Sequence, residues 1–209
     1  VQLEERPTAV DLTRALVAAV STMDDEAWNF GRSLTVVAHA ACSVGDDLSL
    51  RRLKELALRP LAPTTQLICR SALASAFALR HSIGEARNLL APVLEAMLSF
   101  GPDDYKAKDY IGPVPSSFAH LKDLESLRRL CQWALSGNKY QQPGRLEAVI
   151  PALALLGDKG SIETALRTFL WDRWSERSRV LAAGSAALLQ IGDSEAAGIR
   201  AREAVDAFL

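Results

Sequence analysis

The sequence predicts an all-α fold, an α-solenoid of about five antiparallel helix pairs led by half a pair. Three observations carry that expectation. The pentapeptide SLRRL occurs twice, at Ser49–Leu53 and Ser126–Leu130. A step of apolar residue, turn residue and acid recurs five times: Val44-Gly45-Asp46, Ile83-Gly84-Glu85, Leu121-Lys122-Asp123, Leu156-Gly157-Asp158 and Ile191-Gly192-Asp193. Between the steps, apolar residues recur with the helical period and not with the alternation of strands.

The step has a simple physical reading. A helix ends, the central residue turns left-handed to close it, and the acid caps the next helix. A carboxylate there accepts from free backbone N–H groups and lies at the positive end of the new helix dipole. The central positions 45, 84, 122, 157 and 192 are spaced by 39, 38, 35 and 35 residues. Five residues beyond them come Leu50, Leu89, Leu127, Ile162 and Ala197, which predicts one buried column. Lys122 stands where the other copies have glycine, so that turn is expected to be slightly strained or differently shaped.

Taken in order, residues 10–22 (VDLTRALVAAVST) read as a second helix with no first helix before it. Full pairs are expected at about 26–60, 64–100, 101–137, 140–171 and 174–209, together forming a single helical-repeat domain. Both SLRRL copies begin second helices. Leu50, Leu53, Leu127 and Leu130 then face the core, and Arg51, Arg52, Arg128 and Arg129 face outward. Pro60, Pro63, Pro102 and Pro143 punctuate the units, whereas Pro92 falls inside one and is expected to kink or shorten its helix. The stretch FGPDDYKAKDYIGPVPS (100–116) breaks the pattern. In the last pair, Val180, Gly184, Ala187, Leu188 and Ile191 form a small-residue face suited to close packing.

The period, the paired helices and the Gly-Asp turn resemble HEAT repeats, especially the short bilin-lyase type. The similarity is best in EAVIPALALLGDKGSIETALRTFL and RSRVLAAGSAALLQIGDSEAAGIRAREAVDAF, looser over 26–100 and weakest over 101–125. The resemblance implies that second helices line a concave face where partners dock. Arg51, Arg52, Lys54, Arg87, Arg128 and Arg129 would lie there. Tyr105 and Tyr110 of the irregular stretch are further candidate contacts, since loops and tyrosines both favour recognition.

Composition bounds the function. The chain has 209 residues, 49% apolar and 23% charged, which suits a folded protein. A net charge of −1 supplies no general attraction to nucleic acid or anionic lipid. The charge is uneven, however: 3 basic and 8 acidic residues in 1–50, 14 and 9 in 51–150, and 7 and 8 in 151–209. Cys42, Cys69 and Cys131 are odd in number and far apart, as expected of free thiols in a reducing, cytoplasmic setting. No apolar run reaches 18 residues, so no membrane span is expected. The start at Val1 is read as that of a piece of a longer protein.

No nucleophile motif, phosphate loop or metal-ligand spacing is present, and no cofactor is expected. His39, His81 and His120 stand six, three and two residues before their turn centres, in different columns, so they do not converge as ligands. Trp171 and Trp174, with Arg173, Arg177 and Arg179, suggest either a cation–π surface or packing over a joint between repeats. Trp28 in nearly the same column favours packing. The leading expectation is a non-catalytic scaffold that binds another protein, one with an acidic surface. The rival is a HEAT-like DNA-binding enzyme of the alkylpurine glycosylase type, which the lack of an overall positive charge disfavours.

Overall fold

The computed structural model describes residues 8–23, 28–103, 112–138, 140–169 and 174–208, and every regular element among them is an α-helix. There are eleven: α1 (Ala9–Ser21), α2 (Trp28–Val44), α3 (Asp47–Ala57), α4 (Pro63–Leu79), α5 (Ile83–Ser99), α6 (Val114–His120), α7 (Leu124–Ser136), α8 (Gln142–Leu155), α9 (Lys159–Thr168), α10 (Trp174–Gln190) and α11 (Ser194–Asp206). The chain divides into two compact units, Val1–Val93 and Leu94–Leu209, with the division inside α5.

In the first unit α2 packs on α4 and α1, and α3 packs on α1, α2 and α4. The core is Phe30, Leu34, Val37 and Ala41 of α2, Leu50, Leu53 and Leu56 of α3, and Ala72, Leu73 and Ala76 of α4. Every residue from Ser71 to Ala78 is buried. Small side chains there let α2 approach closely, and a Cβ on Gly31 would lie 2.8 Å from the Ile68 Cγ2. α1 touches α3 as well as α2.

In the second unit, hairpins α6–α7, α8–α9 and α10–α11 repeat the plan. The first helices pack in sequence, α6 on α8 and α8 on α10, while α7 touches α9. The core column at Leu127, Ile162 and Ala197 is buried, as Leu50 is in the first unit. Proline starts three first helices: Pro63 in α4, Pro115 in α6 and Pro143 in α8. The first turn has no intrahelical acceptor for its N–H, so the missing donor goes unnoticed. Pro92 does not shorten α5, which runs from Ile83 to Ser99 with the ring exposed.

One turn geometry recurs five times. The cap residue of each second helix donates its N–H back to a carbonyl five residues earlier: Asp46 to Ala41, Ser82 to Phe77, Asp123 to Phe118, Asp158 to Leu153 and Asp193 to Leu188, at 2.9–3.0 Å. The residue before each cap has positive φ: Gly45 73°, His81 58°, Lys122 54°, Gly157 70° and Gly192 86°. This is the Schellman closure of a helix. It corrects the second copy. His81, not Gly84, is the left-handed residue, Ser82 takes the cap position, and Gly84 lies inside α5. The centres are therefore 45, 81, 122, 157 and 192, and Ala86 joins the buried column five residues beyond its centre.

The turns predict opposite effects for two substitutions. Gly157→Ala forces a Cβ into the left-handed region and is expected to destabilise by about 1 kcal/mol, although the space around it is open. Lys122→Gly removes that strain and is expected to be neutral or to stabilise by up to about 1 kcal/mol. Chemical denaturation of both variants checks the pair; a more stable Gly157→Ala would contradict the turn assignment.

Candidate functional site

The second helices begin on a common polar cluster. Asp46, Asp123 and Asp158 accept the backbone N–H of Ser49, Ser126 and Ser161 at 3.1–3.4 Å. Each serine hydroxyl also donates to the same carboxylate at 2.6–2.9 Å. Asp193 accepts from the Ala196 N–H at 3.0 Å. The initial serine of SLRRL is thus the third residue of its helix and part of the cap. Asp46 and Asp158 are buried, so their charge needs more than N–H donors.

A cation from the preceding second helix supplies it. The Arg14 Nε lies 3.1 Å from Asp46. The Arg128 Nε and Nη2 donate to the two oxygens of Asp158 at 2.8 and 3.3 Å, a bidentate pair. Lys159 pairs with Asp193. The titration follows. Arg128 holds the Asp158 carboxyl below its ordinary range, against burial and with help from Ser161. Lys159 does the same for Asp193. At Asp46 burial pushes upward, but Ser49 and Arg14 together outweigh it.

This pairing sorts the candidate arginines. With the corrected register, Arg51, Arg87 and Arg128 each stand six residues past their turn centre. Arg128 clamps Asp158. Arg129 pairs with Glu95 at 3.0 Å, Lys54 with Glu85, and Arg52 with Glu55 on its own helix at 3.1 Å. Among the described residues no ion pair holds Arg51 or Arg87, and both are exposed. For Arg51 the reason is visible. The cap that follows it in register is Ser82, which has no carboxylate. The same pentapeptide therefore meets an acid in one place and none in the other.

The basic excess is also narrower than a hundred-residue window suggests. Residues 51–93 hold seven Lys or Arg against two acids, Glu55 and Glu85. Residues 94–150 hold seven of each. Both acids of 51–93 are already paired.

Arg145 escaped sequence reasoning. It opens α8, is 0% exposed, and stacks 4.0 Å from the Trp133 ring centroid. It donates to the carbonyls of Trp133 at 3.4 Å and Gly101 at 3.1 Å. The Trp133 Nε1 donates to the Phe100 carbonyl at 3.3 Å, and the Asn138 N–H to that of Pro102 at 3.1 Å. Three successive carbonyls of the irregular stretch are therefore held from the α7–α8 corner. A single Arg after Pro-Gly reads as a surface residue, so no local signal marks it.

Beside the Arg128–Asp158 pair lies an open groove of about 260 Å³ lined by Cys131, Gln132, Leu135 and Thr164. Burial, with Asp158 adding, pushes the Cys131 thiol up to about 11, so it is a poor nucleophile at neutral pH. The three cysteines are free thiols, and burial also raises Cys42. Among the described residues no His, Cys, Asp and Glu side chains gather as a metal site, and no helix is long and apolar enough to cross a membrane. His81 is itself a turn residue, not a residue three before one. Tyr105, Tyr110, Trp171, Arg173 and the side chains of Trp28 and Trp174 lie outside the described residues.

The depressed Asp158 pKa makes a signed prediction. A carboxylate whose folded pKa lies below the unfolded value stabilises above the unfolded value, about 3.9, and loses that contribution as pH falls through the folded pKa. Arg128→Ala removes the largest lowering influence. Its urea midpoint is expected below wild type at pH 7, with the gap closing as pH falls below about 4. A gap independent of pH would show that Arg128 acts by packing alone.

Comparison with family models, characterised proteins and solved structures finds no match to this chain.

Proposed function

We propose that this chain is a non-catalytic, protein-binding scaffold of stacked HEAT-like helical hairpins. The observation that carries the reading is the division of labour on the second helices. Their carboxylates and several cations are consumed in capping and ion pairs, while Arg51 and Arg87 of the first unit stand exposed among a surplus of positive charge. Repeated hairpins give extended surface, and binding there requires only complementary shape and charge. The partner best matched to the surplus is a protein with an acidic surface.

The test is affinity capture with immobilised wild-type chain, followed by elution with rising salt. Specific, saturable retention of a partner that elutes with salt is expected, because exposed charge pairs are screened over about 10 Å at 0.1 M. Retention no greater than on a blank matrix would refute the reading. Tight, salt-dependent binding of duplex DNA with release of alkylated bases would favour the glycosylase-type alternative.

A further inference from the structure

The cap and clamp pattern has one vacancy that involves a candidate residue. Arg128 and Arg51 are equivalent: each is the third residue of its SLRRL copy, each follows a buried leucine, and each stands six residues past a left-handed turn residue. Arg128 binds the cap carboxylate of the next hairpin in bidentate fashion. Arg51 meets a hairpin whose cap is Ser82. On the adjacent helix, Arg87 repeats the column. The Lys54–Glu85 ion pair ties α3 to α5 at this level and neutralises the one nearby acid of α5, while Arg52 and Arg80 occupy Glu55 and Asp47.

The surroundings are not purely polar. Leu48, 65% exposed, and Ile83, 48% exposed, stand near the starts of α3 and α5, and Ala91 and Pro92 are exposed one turn beyond Arg87. The face thus offers two exposed cations that no ion pair among the described residues occupies, between apolar side chains, and of the two only Arg51 faces a cap without a carboxylate in the register. Its charge complement is acidic, and its shape complement includes an apolar anchor.

Resting on the scaffold reading, we propose that Arg51 and Arg87 receive the carboxylates of an acidic protein segment carrying an apolar side chain. Arg51 takes from the partner the carboxylate that Asp158 supplies to Arg128. Guanidinium groups suit this role because they bind carboxylates through two parallel N–H donors. The apolar side chain of the segment covers Leu48 and Ile83.

A self-blocking variant tests the idea. Ser82→Asp places a carboxylate at the vacant cap position, where Asp also caps helices well. It is expected to stabilise the fold or leave it unchanged, yet to weaken binding. Random peptides displayed on phage are selected on the wild-type chain, and the enriched peptides are synthesised with a fluorescent label. They are expected to be rich in Asp and Glu and to contain a Leu or Phe. By anisotropy they are expected to bind Ser82→Asp and Arg51→Ser/Arg87→Ser at least about tenfold more weakly than wild type. Arg52→Ser, which breaks only a pair within α3, is expected to bind normally.

Several results would overturn the proposal. One is enriched peptides with no acidic excess, and another is equal binding by Ser82→Asp. A single-stranded oligonucleotide that outcompetes the peptides at the same arginines would overturn it in favour of nucleic acid. Peptides that bind the double variant as well as wild type would sink this site but leave the scaffold reading standing. Failure to enrich any peptide, together with no protein captured from extract, would sink both.

Discussion

The first turn of each second helix is where this fold is most constrained. Packing one hairpin on the next buries that turn, and buried N–H groups need acceptors. An aspartate cap provides them at Asp46, Asp123, Asp158 and Asp193. Burying the carboxylate creates a second requirement, a cation, and Arg14, Arg128 and Lys159 reach it from the preceding second helix. Helix initiation, hairpin stacking and surface charge are thereby linked through one side chain. At Asp46 and Asp158 the second helix cannot shift against its neighbour without separating a buried carboxylate from its partner, and that separation is costly in a low-dielectric setting.

The same link decides which charges stay unpaired at the surface. An arginine that clamps a cap belongs to the fold, and one without a cap carboxylate to clamp belongs to the surface. Arg128 and Arg51 show both outcomes on one pentapeptide, and the difference lies some thirty residues away, in Asp158 against Ser82. Charge composition alone misses this. The surplus of 51–93 is concentrated where the acids are few and already occupied.

In the second unit a different device holds residues 100–102, where the irregular stretch begins. Arg145 is buried against Trp133, and together with Asn138 these residues satisfy the carbonyls of Phe100, Gly101 and Pro102. Carbonyls of an irregular segment would otherwise be stranded on the flank of the hairpin, with no helix or sheet partner. A fully buried arginine is expensive, and here the stacking on an aromatic face and two carbonyl acceptors offset that burial.

Much of this was legible in the sequence. Capping is local chemistry, so four caps and the buried column of Leu50, Leu127, Ile162 and Ala197 could be read from spacing. The second turn could not. Gly84 looks like the residue that turns left-handed, yet His81 does so, because the carbonyl of Phe77 and the length of α4 set where that helix closes. Tertiary structure alone decided the fate of the charges. Whether Arg51, Arg87, Arg128 or Arg145 is free, paired or buried depends on which residue a neighbouring hairpin presents, and no periodicity within one helix encodes that. Local sequence determines where helices start and which side they bury; only packing determines which polar atoms find each other across the joint.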